Sequence, residues 1–563
     1  MPETPDVDGA YPRLSDAQIN ALATRGTRRA TRRGEVLFRE GDRRCDFFVI
    51  LEGTVAIVSG HGDDEEVLEV HGPGRFLGDL SLLTGEAVFV TAVVREPGAV
   101  LVVGVDDLRR LVTDDTALGD VILRAYLVRR SILVGLGTGL RIVGSRFSPD
   151  SRRLREFATR NRIPYRWVDV EQDRGAETLL RRLGVPPDQT PVVLWRGEVL
   201  HNPTNAELAE AIGLTDAPMP AGLVDVVVVG GGPAGLAAAL YGASEGLSTI
   251  VLDAVASGGQ AGTSSRIENY LGFPSGISGA ELAERALIQA RKFGAHVHVP
   301  AAVVALHPVD GHYVVRLEEG SVISARAVVV ATGVHYRRLP VPGLERFEGT
   351  NVFYAATEVE ARACAGEPVA IVGGGNSAGQ AALFLSARTG RVRLLVRGGD
   401  LARTMSRYLI DRIERDGRIE VMLHREVVAV HGDTALEAVD VEHTQTGERE
   451  RVDARALFVF VGAEPHAQWL GQQVALDDGG FVVTGPDAIV DEPRRSRWPL
   501  ERAPFPLETS LPGVFAAGDV RHRSIKRVAA AVGEGSMVIR LVHDHLDPDI
   551  GTAEGRPSPA SRA

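Results

Sequence analysis

At 563 residues the chain exceeds what one hydrophobic core supports, so three or four domains are expected. Apolar content of 44%, 24% charged residues and 63 glycines read as a soluble, α/β-rich protein, and a net charge of −12 argues against nucleic acid as a general partner. Two cysteines, Cys45 and Cys364, exclude a disulfide framework and a multi-cysteine metal site; with no apolar leader and no membrane-length apolar run, a cytoplasmic chain without a membrane span is expected.

From about residue 14 to 112 short β-like runs (Glu35-Val-Leu-Phe, Phe47-Phe-Val-Ile-Leu, Thr54-Val-Ala-Ile-Val) alternate with glycines, the pattern of a small barrel or jelly roll. A helical periodicity covers Ala117 to Leu133 and completes a domain over 1–139. Residues 140–214 read strand, helix, strand, helix, strand, strand, helix, and 215–223 read as a Pro-rich linker. Strands and helices then alternate to residue 546, as in doubly wound sheets, and 547–563 read as a disordered tail.

The densest chemical signal is Val226-Val-Val-Val-Gly230-Gly-Gly232-Pro233-Ala234-Gly235, a strand that feeds a glycine turn and opens a helix. Gly230 makes the turn, Gly232 lets a pyrophosphate approach the backbone, and Gly235 lets helix and strand pack closely. Asp253 ends the next strand, where a carboxylate can hold ribose hydroxyls. A second copy, Val369-Ala-Ile-Val-Gly373-Gly-Gly375-Asn376-Ser377, implies a second dinucleotide. Its following strand ends at Arg397, a cation suited to a 2′-phosphate; NADPH is therefore expected, with NADH open.

From about Val224 to Val542 the sequence resembles low-molecular-weight thioredoxin reductases. Gly258-Gly259-Gln260 with Ile267-Glu-Asn269-Tyr-Leu-Gly-Phe-Pro is similar to that family's flavin-contacting segment, and Ala331-Thr332-Gly333 to the turn closing its first FAD segment. Gly518-Asp519 resembles the late motif whose aspartate meets the ribityl chain, and Lys526-Arg527-Val528-Ala529 the helix start facing the flavin. The resemblance implies an FAD domain (224–338), interrupted by an NAD(P)H domain (339–465) and resumed over 466–546. A homodimer is expected from the helix after Asp115, which resembles the long helix that often dimerises jelly-roll domains of the kind read at the N-terminus. One phosphate-binding arginine of the family is missing beside Arg397, and Arg403 is placed to compensate.

The family's Cys-x-x-Cys falls on Ala355-Ala-Thr-Glu358, so neither sulfur of that dithiol is present. A disulfide exchange needs an attacking and a resolving thiolate, whereas hydride transfer between nicotinamide and flavin does not. The expected activity is an FAD-dependent NADPH oxidoreductase that hands electrons to an external acceptor: a ferredoxin-like carrier, a quinone-like molecule or a protein disulfide. Two other readings stay open, a thioredoxin-disulfide reductase using a partner's thiols and a flavin-based sensor with little turnover.

In the N-terminal half, Gly34-Glu-Val-Leu-Phe-Arg-Glu-Gly41 and Phe76-Leu-Gly78-Asp79-Leu-Ser-Leu-Leu83 resemble a cyclic-nucleotide-binding jelly roll. That family's Gly-Glu pair becomes Gly78-Asp79, and its Pro-Arg pair becomes Ala87-Val88, which removes the bidentate partner of a cyclic phosphate. A retained scaffold, or a different ligand, is favoured over a bound cyclic nucleotide. Residues 140–214 resemble a glutaredoxin-like thioredoxin fold with Thr190-Pro191 as its cis-proline and Ser148-Pro149-Asp150-Ser151 in place of the catalytic dithiol. The fold class is thus multidomain α/β: a β jelly roll, a thioredoxin-like unit, and two Rossmann-like dinucleotide domains.

Overall fold

A computed structural model describes residues 2–43, 45–60, 65–173, 175–186, 189–214, 222–264, 266–348, 350–354, 356, 358–495 and 498–547. Most of the expected linker and all of the expected tail beyond residue 547 lie outside these residues, as does Ala355. The chain divides into two compact units, residues 1–218 with 298–300, and 219–297 with 301–563.

The first unit begins with an element that the β-rich pattern did not predict, a helix over Asp16–Ala23 closed by a capping box between Ser15 and Gln18. The barrel is then organised by two 13-residue strands, Phe47–Ser59 and Thr91–Val103, paired antiparallel from Phe47 opposite Val103 to Val58 opposite Thr91. Thr27–Ala30, Val36–Phe38 and Glu66–His71 extend the sheet. Alternating residues along the long strands (Phe48, Ile50, Val55, Ile57) turn into one core with Leu77, Val88 and Val100. Two helices follow, Val105–Asp114 and Thr116–Leu136. The second is longer than its periodicity suggested because Asp115 caps it, accepting from the Leu118 N–H at 3.0 Å, and Gly137 ends it at φ +64.

Residues 140–201 form a four-stranded sheet in the order 165–169, 140–144, 192–195, 198–201, the first pair parallel and the others antiparallel. Helices Pro149–Arg160, Ala176–Leu183 and Asn205–Ala211 cover it. The Thr190–Pro191 bond is cis. Ser148 caps the first helix, and Ser151, fully buried in its first turn, packs against Gly144, whose missing Cβ would also meet Pro191.

In the second unit, strand Val224–Val229 lies between Thr249–Leu252 and Val322–Val330, parallel to both, and Val514–Ala516 joins the far end of Val322–Val330. Val226, Val227 and Val228 are fully buried, since helices and strands cover both faces. A second parallel sheet has the order 352–353, 456–459, 369–372, 392–396, 419–423, and an antiparallel meander over 425–453 flanks it. The two lobes are connected by a ribbon of two short strands, 334–336 against 463–465.

Candidate functional site

The first glycine turn has the geometry its spacing demands. Gly230 sits at φ +108, and a Cβ there would overlap the Ala331 carbonyl; a Cβ on Gly235 would overlap the Gly230 carbonyl. Gly232 is the N-cap of helix Pro233–Ser244 and offers no side chain to its first-turn amides, while Pro233 supplies none of its own. Those amides and the helix dipole therefore face an open cradle, whose other wall is Gly259, packed backbone to backbone against Gly232. The Gly258 N–H holds this wall by donating to the Gly231 carbonyl at 2.7 Å.

Asp253 stands at the end of the adjacent strand with much of its carboxylate engaged. Oδ2 accepts from the Gly231 N–H at 2.7 Å, and Oδ1 from the Val255 and Ala256 N–H groups at 2.9 Å each. It braces the turn, a role that the strand-end position alone did not suggest. Gln260 leads into a short 3-10 helix, and Asn269 is exposed in a loop whose ends, Ile267 and Ile277, pair as an isolated bridge. Thr332 donates through Oγ1 to the His466 carbonyl at 2.7 Å, and Gly333 turns at φ +65.

The late motif folds back onto the same turn. A Cβ on Gly518 would lie 2.9 Å from the Ala234 Cβ, so Asp519 arrives beside the first turn of the glycine-led helix from nearly 300 residues away. Burial raises the Asp519 carboxyl above its ordinary range, opposed by the Lys526 ammonium. Lys526 donates to the Asp519 carbonyl and, at 2.7 Å, to Ser524 Oγ; its own pKa is lowered by desolvation. Arg527 is the N-cap of helix Val528–Leu546 without a side-chain bond to it, leaving the amides of its first turn, including Ala529, without a side-chain cap.

Several contributors were missed in the sequence. Gly535 crosses helix Pro233–Ser244 so closely that a Cβ would overlap the Ala234 carbonyl, and Glu534 accepts from the Gly518 N–H at 2.7 Å. The Gly-Glu-Gly run at 533–535, unusual inside a helix, was the available signal. His466 meets His335 edge-on at 5.8 Å and is held below its ordinary pKa by desolvation and by that neighbour.

The second turn repeats the plan. Gly373 at φ +146 backs onto the Phe460 carbonyl, and Gly375 is the N-cap of helix Asn376–Ser386 with no side-chain bond to it. Asn376 Oδ1 accepts from the Ser406 N–H at 2.7 Å, and Thr404 Oγ1 donates to the Gly374 carbonyl at 2.8 Å, so the loop after Arg403 lies across the turn. Ser377 is exposed on the first turn of the helix. Arg397 and Arg403 are both exposed and make no ion pair among the described residues. Glycine cradles, uncapped helix starts and free cations fit an FAD at the first turn and a pyridine nucleotide at the second.

Residues 224–535, more than half of the chain, match the family Pyridine nucleotide-disulphide oxidoreductase. The chain belongs to that family. Within it the relatives are of thioredoxin-reductase type, and the protein is an FAD-containing NAD(P)H oxidoreductase. It is 32% identical to a thioredoxin reductase of Streptomyces clavuligerus over 317 residues, 55% of this chain and 90% of that one. It is 33% identical over 313 residues to a bifunctional thioredoxin reductase/thioredoxin of Mycobacterium leprae, spanning 55% of this chain and 63% of that protein. The crystal structure of T. acidophilum thioredoxin reductase superposes with a TM-score of 0.51 at 28% identity, over 57% of this oxidoreductase and 99% of that chain. Residues 28–115 match the Cyclic nucleotide-binding domain. Among the described residues no helix is long and apolar enough to cross a membrane.

Proposed function

We propose that this oxidoreductase uses NADPH to reduce an external acceptor through FAD without a dithiol of its own. FAD and NADPH, when bound, supply the hydride chemistry. The chain's part is to seat the two dinucleotides at Gly230–Gly235 and Gly373–Asn376, and to hold Asp519, Lys526 and the start of helix Val528–Leu546 around the first. The observation that carries the reading is the state of its two thiols. Cys45 and Cys364, the only cysteines in the sequence, both have their pKa pushed up to about 12 by burial. Cys364 donates to the Glu360 carbonyl at 3.0 Å inside the core of its lobe. Neither supplies a thiolate at neutral pH. The Glu358 side chain, which stands where the family's second sulfur falls, lies outside the described residues.

NADPH is preferred over NADH because Arg397 and Arg403, beside the second turn, make no ion pair among the described residues. The unit over 140–214 is read as a thioredoxin-like fold in which Ser148 and Ser151 replace the dithiol beside cis-Pro191; its part is then docking or packing. The acceptor class is a ferredoxin-like carrier, a quinone-like molecule or a partner's disulfide.

Stopped-flow mixing with NADPH tests the reading: fast flavin bleaching, followed by turnover with ferricyanide or ferredoxin, is expected. The Cys45→Ser/Cys364→Ser variant should retain both rates within about twofold, since neither thiol is ionised. Reduction of thioredoxin at rates normal for a thioredoxin reductase, lost in that double variant, would overturn it.

A further inference from the structure

The loop over residues 76–91 of the barrel is the segment that would enclose a nucleotide in the domain family it matches, and it is held from both sides by the protein itself. On one side, two consecutive arginines of helix Thr116–Leu136 reach into it. Arg129 donates to the carbonyls of Phe76 (3.0 Å) and Gly78 (2.7 Å), and through Nε to the Ala10 carbonyl. Arg130, 1% exposed, pairs with Asp79 at 3.3 Å and Glu86 at 3.2 Å. Its guanidinium also lies 5.1 Å from the centre of the Phe89 ring.

On the other side, Val88 belongs to the barrel core while Phe89 leaves it. Phe89 is 2% exposed, sits 5.5 Å from Trp195, and is part of the core formed by Leu140, Ile142, Phe157 and Leu208 of the following α/β domain. The backbone of the loop is tied down as well. The Gly41 N–H donates to the Val88 carbonyl at 2.7 Å, and the Val88 N–H to Asp42 at 3.1 Å.

We propose that Arg130 is an internal ligand of the barrel, closing the nucleotide loop permanently so that the loop's outer residue, Phe89, keys the barrel into the next domain. Asp79 and Glu86 already take up the Arg130 guanidinium, the cation that a phosphodiester in the loop would need as its partner. The residue that would reach such a phosphate is Val88, and it is buried in the core. Without the guanidinium, Asp79, 3% exposed, would lose its ion pair while still desolvated, and Glu86 would lose one of its partners. The barrel is then a docking platform fixed to the α/β domain, not a sensor of cyclic nucleotides.

The test uses the full-length, FAD-loaded protein. Titration calorimetry with cAMP and with cGMP up to ~1 mM should give no saturable heat; saturable binding of either overturns the proposal. Arg130→Met should lower the urea midpoint of the N-terminal unit, and Asp79→Asn/Glu86→Gln added to it should restore much of the loss, because the negative charges that Arg130 balanced are then gone. If Arg130→Met is insoluble, soluble recovery in the triple variant is the same rescue. An unchanged midpoint for Arg130→Met, or no rescue in the triple variant, overturns the charge pairing. Phe89→Ala should raise hydrogen exchange in strands 140–144 and 192–195 as well as in the barrel; a change confined to the barrel overturns the keying.

Discussion

The glycine turn at 230–235 and the barrel loop at 76–91 are both ligand-binding motifs by sequence, and the structure treats them in opposite ways. At the glycine turn the helix start has no capping side chain, and small residues keep a cradle open on each wall. At the barrel loop the Phe76 and Gly78 carbonyls, the Asp79 carboxylate and the apolar space are instead engaged from inside, by Arg129, Arg130 and the packing of Phe89. A site kept for a ligand leaves polar groups and space for it; one that has become structural fills both. The difference lies in which residues are small. Glycines separate the walls of the first, whereas valine and phenylalanine occupy the second.

The largest expected effect breaks the open side of this comparison. Gly235→Val places a branched side chain where the Gly230 carbonyl already lies, so helix Pro233–Ser244 cannot approach its strand. FAD affinity should fall by roughly 100-fold or more, equivalent to about 2.7 kcal/mol, read as lost flavin absorbance on purification and in titration. Gly417→Ala, at a position with open space around it, is the control and should keep full flavin content. Normal flavin occupancy in Gly235→Val would show that the cradle is not set by helix–strand contact.

How much of this was legible before the structure differs between the same two regions. The glycine turns announce themselves because backbone geometry restricts each position to one residue type, so Gly230 and Gly373 at positive φ follow from spacing. The convergence of Gly518, Gly535 and Ala234 was not legible, since it depends on a helix crossing between segments nearly 300 residues apart. Nor was the bracing role of Asp253, whose partners are backbone amides that carry no sequence signal. In the barrel, the loss of Pro-Arg at 87–88 could be read from the motif, but Arg130 could not be. A buried arginine on a helix looks like a solvated one until its carboxylates are placed beside it.

The closed side is sharpened by Glu40, whose neighbour Gly41 donates to Val88 of the barrel loop. Burial raises the Glu40 carboxyl to about 7, opposed by the Arg196 and Arg141 guanidinium groups. Its folded pKa therefore lies above its unfolded one, so the folded state binds the proton more tightly and stability falls as pH rises from about 4.5 to 7. Above pH 7 the penalty is on the order of 3 kcal/mol. Glu40→Gln should remove this slope, leaving the N-terminal unit more stable than wild type at pH 8 and nearly equal at pH 5 in urea denaturation. A wild-type unit whose stability is flat across that window would place Glu40 in water.

The smallest effect concerns a site that is open but shallow. Arg397 and Arg403 flank the second glycine turn without ion pairs among the described residues, and both are exposed, so solvent screens whatever they bind. Replacing either with alanine should raise KM for NADPH by roughly tenfold and leave KM for NADH and kcat almost unchanged, because the 2′-phosphate is the one group that distinguishes the two. Raising ionic strength should narrow the wild-type preference in the same direction. The two arginines need not contribute equally: Arg397 follows directly on strand Val392–Val396, whereas Arg403 ends a short 3-10 turn and has to order on binding. Arg397→Ala should therefore cost more than Arg403→Ala. Equal loss of NADPH and NADH in both variants would mean that these arginines shape the turn and do not read the phosphate.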